Sequence, residues 1–200
     1  MLQRVIDEFK RFCKRIGGDV EVNEYLKSAS CILEPYDYYD YTRSAEYAHE
    51  FAEFIEKWRP ELKENAIDLS IDVVEKLIGG YAESAGIVYD SYDDMYRLYA
   101  NIYSEYSMEY GRERKGVEPP EIKKEVLGVP IKGKGDVEWN RDTWVWMGVG
   151  YVETRIKDLR RISEDDIEKI MNAMVDEAED LANEALETLI EPEEEEEEEW

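Results

Sequence analysis

Apolar residues recur at helical spacing along most of this chain. Residues 2 to 16 set Val5, Ile6, Phe9, Phe12, Cys13 and Ile16 on one arc, and Gly17 with Gly18 stops the run, so the first element is predicted as an amphipathic helix. A short helix is predicted from about Glu24 to Leu33, ahead of Pro35. Another covers residues 43 to 58 and is closed by Pro60, which cannot continue it. Ile67, Ile71, Val74 and Ile78 make the stripe of a fourth helix, from about Glu61 to Ile78, before Gly79 and Gly80.

The next segment carries Tyr89, Tyr92, Tyr96, Tyr99, Tyr103, Tyr106 and Tyr110, three and four residues apart throughout. On a helix turning 100° per residue these phenols fill one arc, beside a second arc of Val88, Met95, Leu98 and Ile102. They read as boundary residues, rings on the edge of the core and hydroxyls outward. They also make a candidate partner-binding surface, because tyrosine offers large contact area at small entropic cost.

Residues 114 to 136 hold Pro119, Pro120, Pro130 and several glycines, and read as a linker or surface loop. The stretch after it reads two ways. Trp144, Tyr151, Val152, Ile156 and Leu159 suit a helix capped by Asp142, the preferred reading, whereas the alternation of residues 143 to 150 suits a small β-hairpin near residues 137–147. Ser163 with Asp166 marks the start of a last helix, with Ile167, Met171, Met174, Ala178, Leu181, Ala185 and Leu189 near heptad spacing. The expected fold class is therefore all-α, a bundle of about six to seven helices. Residues 1–113 form the bundle, 114–136 the linker, 137–190 a C-terminal helical hairpin on the bundle or on a second copy, and 191–200 a disordered acidic tail.

Composition changes this picture in three ways. The 43% hydrophobic content supports a real core, and no apolar run reaches the roughly 18 residues of a membrane span, so a cytoplasmic protein without membrane contact is expected. Acidic residues number 50 against 25 basic ones, and residues 164 to 199 hold 18 of those acids beside a single base, Lys169. Gln3 is the only glutamine, a bias expected in a hyperthermophile, where side-chain amides are labile. Cys13 and Cys31 match no metal spacing and read as reduced core residues.

Candidate chemistry is sparse. Glu46 and His49 have the Glu-x-x-His spacing of carboxylate-bridged metal bundles, but His49 is the only histidine and this polar arc lies opposite Tyr47, Phe51, Phe54, Ile55 and Trp58. No metal site and no cofactor are expected. Arg43 and His49, with five residues between them, resemble the arginine-to-histidine motif of HEPN-type ribonucleases; that resemblance implies an RNA-cleaving cleft at these two side chains. Lys132, Lys134, Trp139, Arg141, Trp144 and Trp146 interleave cations with aromatics, as a single-stranded nucleic-acid binder requires. The acidic run closed by Trp200 resembles the tails with which some single-stranded-DNA-binding proteins dock partners or cover their own groove. The negative charge of the rest of the chain opposes nucleic acid at long range. The function expected first is a non-enzymatic acidic interaction module, an adaptor, assembly factor or inhibitor. It would engage a protein partner of basic surface, or another copy of itself, through the tyrosines and Trp200.

Overall fold

The computed structural model describes residues 2–37, 40–106 and 118–188, the side chains of residues 105 and 106 excepted. The chain runs α1 (Leu2–Arg15), β1 (Asp19–Asn23), β2 (Ser28–Leu33), a short 3-10 turn (Arg43–Tyr47) leading into α2 (Ala48–Asn65), β3 (Asp68–Lys76), β4 (Ala82–Asp90), β5 (Met95–Tyr106), β6 (Glu121–Val126), β7 (Val129–Asn140), β8 (Val145–Ile156) and α3 (Glu164–Glu187). The strands form one eight-stranded sheet in the order β1-β2-β3-β4-β5-β8-β7-β6. Among the described strands only β2 and β3 pair in parallel, and the crossover that parallel neighbours require is supplied by α2; the other neighbours are antiparallel. The expected all-α bundle of six to seven helices is thus overturned: the described residues form a mixed sheet with three α-helices.

The tyrosine row shows why. From Tyr89 to Tyr106 it is no helix but the β4–β5 hairpin, turning at Ser91–Asp94. In a strand an odd step crosses to the other face. Tyr96 therefore points with Leu98, Ala100 and Ile102 into the core, while Tyr99 and Tyr103 point the other way with Arg97 and Asn101. A spacing of three and four fits a helix template by count, but the period-2 run Tyr96, Leu98, Ala100, Ile102 is what gets buried. Likewise Glu24–Leu33 contains β2, the Glu61–Ile78 stripe divides between the end of α2 and β3, and the linker of residues 114–136 contributes β6 and the start of β7. At residues 137–147 the hairpin is the conformation adopted, with Trp139 paired to Trp146 across the β7–β8 turn.

The helices at both ends behave as the pattern says. α1 buries Val5, Ile6, Phe9, Phe12 and Cys13, and Ser163 caps α3 by accepting a hydrogen bond from the Asp166 amide at 3.1 Å. α2 continues through Pro60 to Asn65 and stops where Ala66 takes a left-handed φ of 53°. Cys13 and Cys31 are joined in a disulfide that fastens α1 to β2, which corrects their reading as reduced thiols.

All three helices lie on one face of the sheet. The core forms there between Leu69, Ile71 and Val73 of β3, Ala85 and Ile87 of β4, Leu98 and Ala100 of β5, and the apolar sides of the helices. α3 runs across β5, β8 and β7 at unusually close range. An added Cβ at Gly150 would sit 1.7 Å from the Ala178 carbonyl oxygen, and one at Gly148 would sit 2.0 Å from that of Ala182. These two glycines of β8 are the bed on which the helix backbone rests.

Candidate binding face

The other face of the sheet carries no described helix, and its side chains alternate with those of the core. In β3, Ser70 and Asp72 stand between Leu69, Ile71 and Val73; in β5, Arg97, Tyr99 and Asn101 stand between Tyr96, Leu98, Ala100 and Ile102; in β8, Tyr151 and Glu153 flank Val152. One end is closed by the β3–β4 turn, where Asn140 Nδ2 donates to the Ile78 carbonyl at 3.2 Å and the Tyr81 hydroxyl to the Trp139 carbonyl at 3.4 Å.

At the centre lies a buried carboxyl. Asp72 is 7% exposed, accepts from the Tyr99 hydroxyl at 2.5 Å, and has Ser70 Oγ 2.5 Å from its second oxygen, with Ser30 Oγ 2.9 Å further on. Burial pushes the Asp72 carboxyl above the ordinary carboxylate range, against the lowering effect of Ser70, Tyr99 and Ser30 and of the nearby Arg97 charge. Burial and then the Asp72 charge push the Tyr99 phenol up in turn.

The Tyr99 ring lies 6.3 Å from that of Tyr151, the planes 19° apart. Tyr151 opens a second network. Its hydroxyl accepts from Arg97 Nη1 at 2.5 Å and donates to Glu153 at 3.0 Å, and Glu153 lies 3.8 Å from Arg97 and 3.5 Å from Lys132 Nζ. Two clefts adjoin at Tyr151. One of about 710 Å³ is lined by Ser30, Ser70, Asp72, Ser84, Arg97 and Asn101, and one of about 530 Å³ by Lys123, Lys132, Lys134, Glu121 and Glu153. Hydroxyls, a guanidinium, an amide and parallel aromatic rings converge here on a rigid sheet, an arrangement able to hold a polar ligand by hydrogen bonds and stacking.

The residues singled out from the sequence scatter. Tyr89 and Tyr96 are buried on the helix side, Tyr92 is 94% exposed in the β4–β5 turn, and Tyr103 packs against Tyr81 with ring centroids 5.5 Å apart. The Tyr106 side chain, Tyr110 and Trp200 lie outside what is described. Lys132 and Lys134 are on the helix-free face, but Trp139 and Trp146, 5.2 Å apart, are on the opposite one, and Trp146 packs with Val137 and Leu186. Arg141 and the 57%-exposed Trp144 sit in the β7–β8 turn.

Arg43 and His49 are engaged by different parts of the fold. Arg43 donates to the carbonyls of Glu34 at 2.9 Å and Ile16 at 3.4 Å and stacks on Tyr36, whereas His49 Nε2 lies 2.7 Å from the Ile162 carbonyl, with Nδ1 3.6 Å from Glu164. Among the described residues no group of three His, Cys, Asp or Glu side chains is placed to hold a metal, and no described helix is long and apolar enough to cross a membrane.

Ser30, Ser70, Asp72, Arg97, Tyr151 and Glu153 escaped the sequence reading. Their signal is present in it, as polar residues two apart between apolar ones, Ser70 and Asp72 in "LSIDV", Arg97 and Tyr99 in "RLYAN", and Tyr151 and Glu153 in "YVE". A second polar cluster lies on the helix side, where the Tyr41 hydroxyl meets both Glu75, at 2.7 Å, and Glu83. Burial raises the Glu83 carboxyl, against the lowering effect of the bond from Tyr41. No protein-family model, curated protein or solved structure matches this chain.

Proposed function

We propose that this protein is a non-enzymatic interaction module that binds through the helix-free face of its sheet. The observation that supports the reading is the one-sidedness of the fold. One face is spent on the core, and the other presents a pre-ordered network from Ser30 to Lys132 with two adjoining clefts. Polar groups arranged beforehand on a rigid sheet bind without a further ordering cost. The lone histidine and both cysteines are engaged elsewhere, so the clefts offer no imidazole or thiol for general-base or nucleophilic work.

A second surface supports the acidic-module side of the same reading. Asp165, Glu168, Asp176, Glu179, Asp180, Glu184 and Glu187 are exposed along the outside of α3, beside Lys169. A basic protein partner fits that side of an adaptor.

Affinity capture from the source organism, followed by mass spectrometry, tests both. Three baits are compared: wild type, Arg97→Ala with Tyr151→Ala on the sheet, and Glu168→Gln with Glu179→Gln on α3, each checked by circular dichroism. Loss of a partner with the sheet variant supports the proposal, and loss with the α3 variant alone assigns that partner to the acidic helix. Identical partners for all three baits contradict both.

A further inference from the structure

We infer that the helix-free face takes a single-stranded nucleic acid, its phosphates along Lys123, Lys132 and Lys134 and a base against Tyr151. This rests on the reading of that face as the binding surface and adds the chemistry of its ligand.

Lys123 stands directly across from Lys132, and Arg97 directly across from Arg155, on the same face. Like charges directly opposite each other in a sheet are destabilising. A chain with 50 acidic and 25 basic residues had carboxylates to spare for those positions. Arg155 is answered by Asp93 at 2.5 Å, and Lys132 by Glu153 at 3.5 Å, but Lys123 and Lys134 make no ion pair with another described residue. A ligand that is itself an anion relieves this repulsion.

Arg97 on β5 and Lys123 on β6 are three inter-strand spacings apart in the order β5-β8-β7-β6, roughly 14 Å. A single phosphate or carboxylate cannot span that stretch; a chain of them can run from the lysines of β6 and β7 past Tyr151 towards Arg97. Between the cations lies Tyr151, which lines both clefts, and beyond it Ser84 and Asn101 offer a hydroxyl and an amide to the edge of an unpaired base. Stacking on an aromatic ring with the backbone along cations is how single strands are held without sequence preference. An acidic polypeptide satisfies the lysines but leaves the tyrosine pair without a planar partner.

The exposed carboxylates of α3 belong to the opposite side of the sheet from the three lysines. On the face itself Glu153 lies beside Lys132 and Arg97, Glu121 stands across from Lys134, Glu125 follows Lys123 two residues along β6, and Asp68 is bonded to Ser91. The basic stretch ends at Asp136 and Glu138, which point the same way further along β7.

Fluorescence anisotropy with labelled 15-mers of deoxythymidine and of uridine, at about 50 mM salt, tests the assignment. Binding is expected, with log affinity falling against log salt at a slope of about −2 for three phosphate contacts. The double variant Lys123→Ala with Lys134→Ala, which removes no ion pair to another described residue, is expected to bind about tenfold more weakly, as is Tyr151→Leu. Lys57→Ala, on the exposed side of α2, should bind like wild type. No binding of either oligonucleotide, an equal loss in Lys57→Ala, or equally tight binding of a glutamate 15-mer overturns the inference, the last in favour of an acidic polypeptide. Should the oligonucleotides fail while the sheet variant still loses its captured partner, the ligand class is wrong and the binding face stands; should both fail, the face itself is wrong.

Discussion

Asp72 is the side chain from which the helix-free face is organised, and its chemistry makes a prediction about pH. Because burial raises its carboxyl, there is a pH range in which the folded chain holds a proton that the unfolded chain has released. Stability from such a group is complete below the unfolded pKa of about 3.9 and is lost as pH rises through the folded value. Glu83, raised by burial beside Tyr41, has the same sign. Asp72→Asn keeps the shape and removes the titration. The urea midpoint of wild type should therefore fall relative to that of Asp72→Asn as pH is raised. A difference between the two that stays constant from about pH 4 to about pH 9 rules out the raised carboxyl.

Among the elements, the seat of α3 on β8 is the contact with least slack. Its backbone carbonyls, not flexible side chains, occupy the space that a Cβ at Gly148 or Gly150 would need. Gly150→Ala must push the helix off the sheet or distort the strand, and overpacking of this kind costs about 3 kcal/mol. For a chain of this length that corresponds to a fall in Tm of about 6–12 °C. Calorimetry measures it, and a fall under about 2 °C would mean that α3 sits further from the sheet. The same contact explains the paired glycines of "GKG" and "GVG", which by themselves read as loop or hairpin signals. Their meaning depends on a helix that begins only at Glu164, later in the chain than either pair.

At the scale of the whole molecule, the disulfide between Cys13 and Cys31 ties α1 to an outer part of the sheet, where only β1 lies beyond β2. Its 18-residue separation places its stabilising effect near the roughly 3 kcal/mol of a loop that size. The double replacement Cys13→Ala with Cys31→Ala should lower Tm by about 6–12 °C, with α1 the first element to lose amide-exchange protection. Equal melting of the two proteins contradicts a bond formed in the native protein.

Local pattern alone determined the elements whose partner is the core in general. α1 and α3 follow from their apolar stripes and end signals, Gly17 and Gly18 for one and Ser163 for the other, because a helix satisfies its own backbone and needs only some apolar surface to cover. The acidity of the C-terminal region was equally plain, since charge is additive along a chain. The strands were not legible in this way. A strand's hydrogen bonds belong to its neighbours, so the tyrosines of β5 acquire faces only once β4 and β8 are beside them. The binding face lay further out of reach. Ser30, Asp72, Arg97, Tyr151 and Lys132 come from five different strands, and their convergence was decided by the register of the sheet. That register also set Trp139 and Trp146 opposite Lys132 and Lys134, dividing a cluster that looked whole in one dimension. It did so because a one-residue step along a strand exchanges one face for the other.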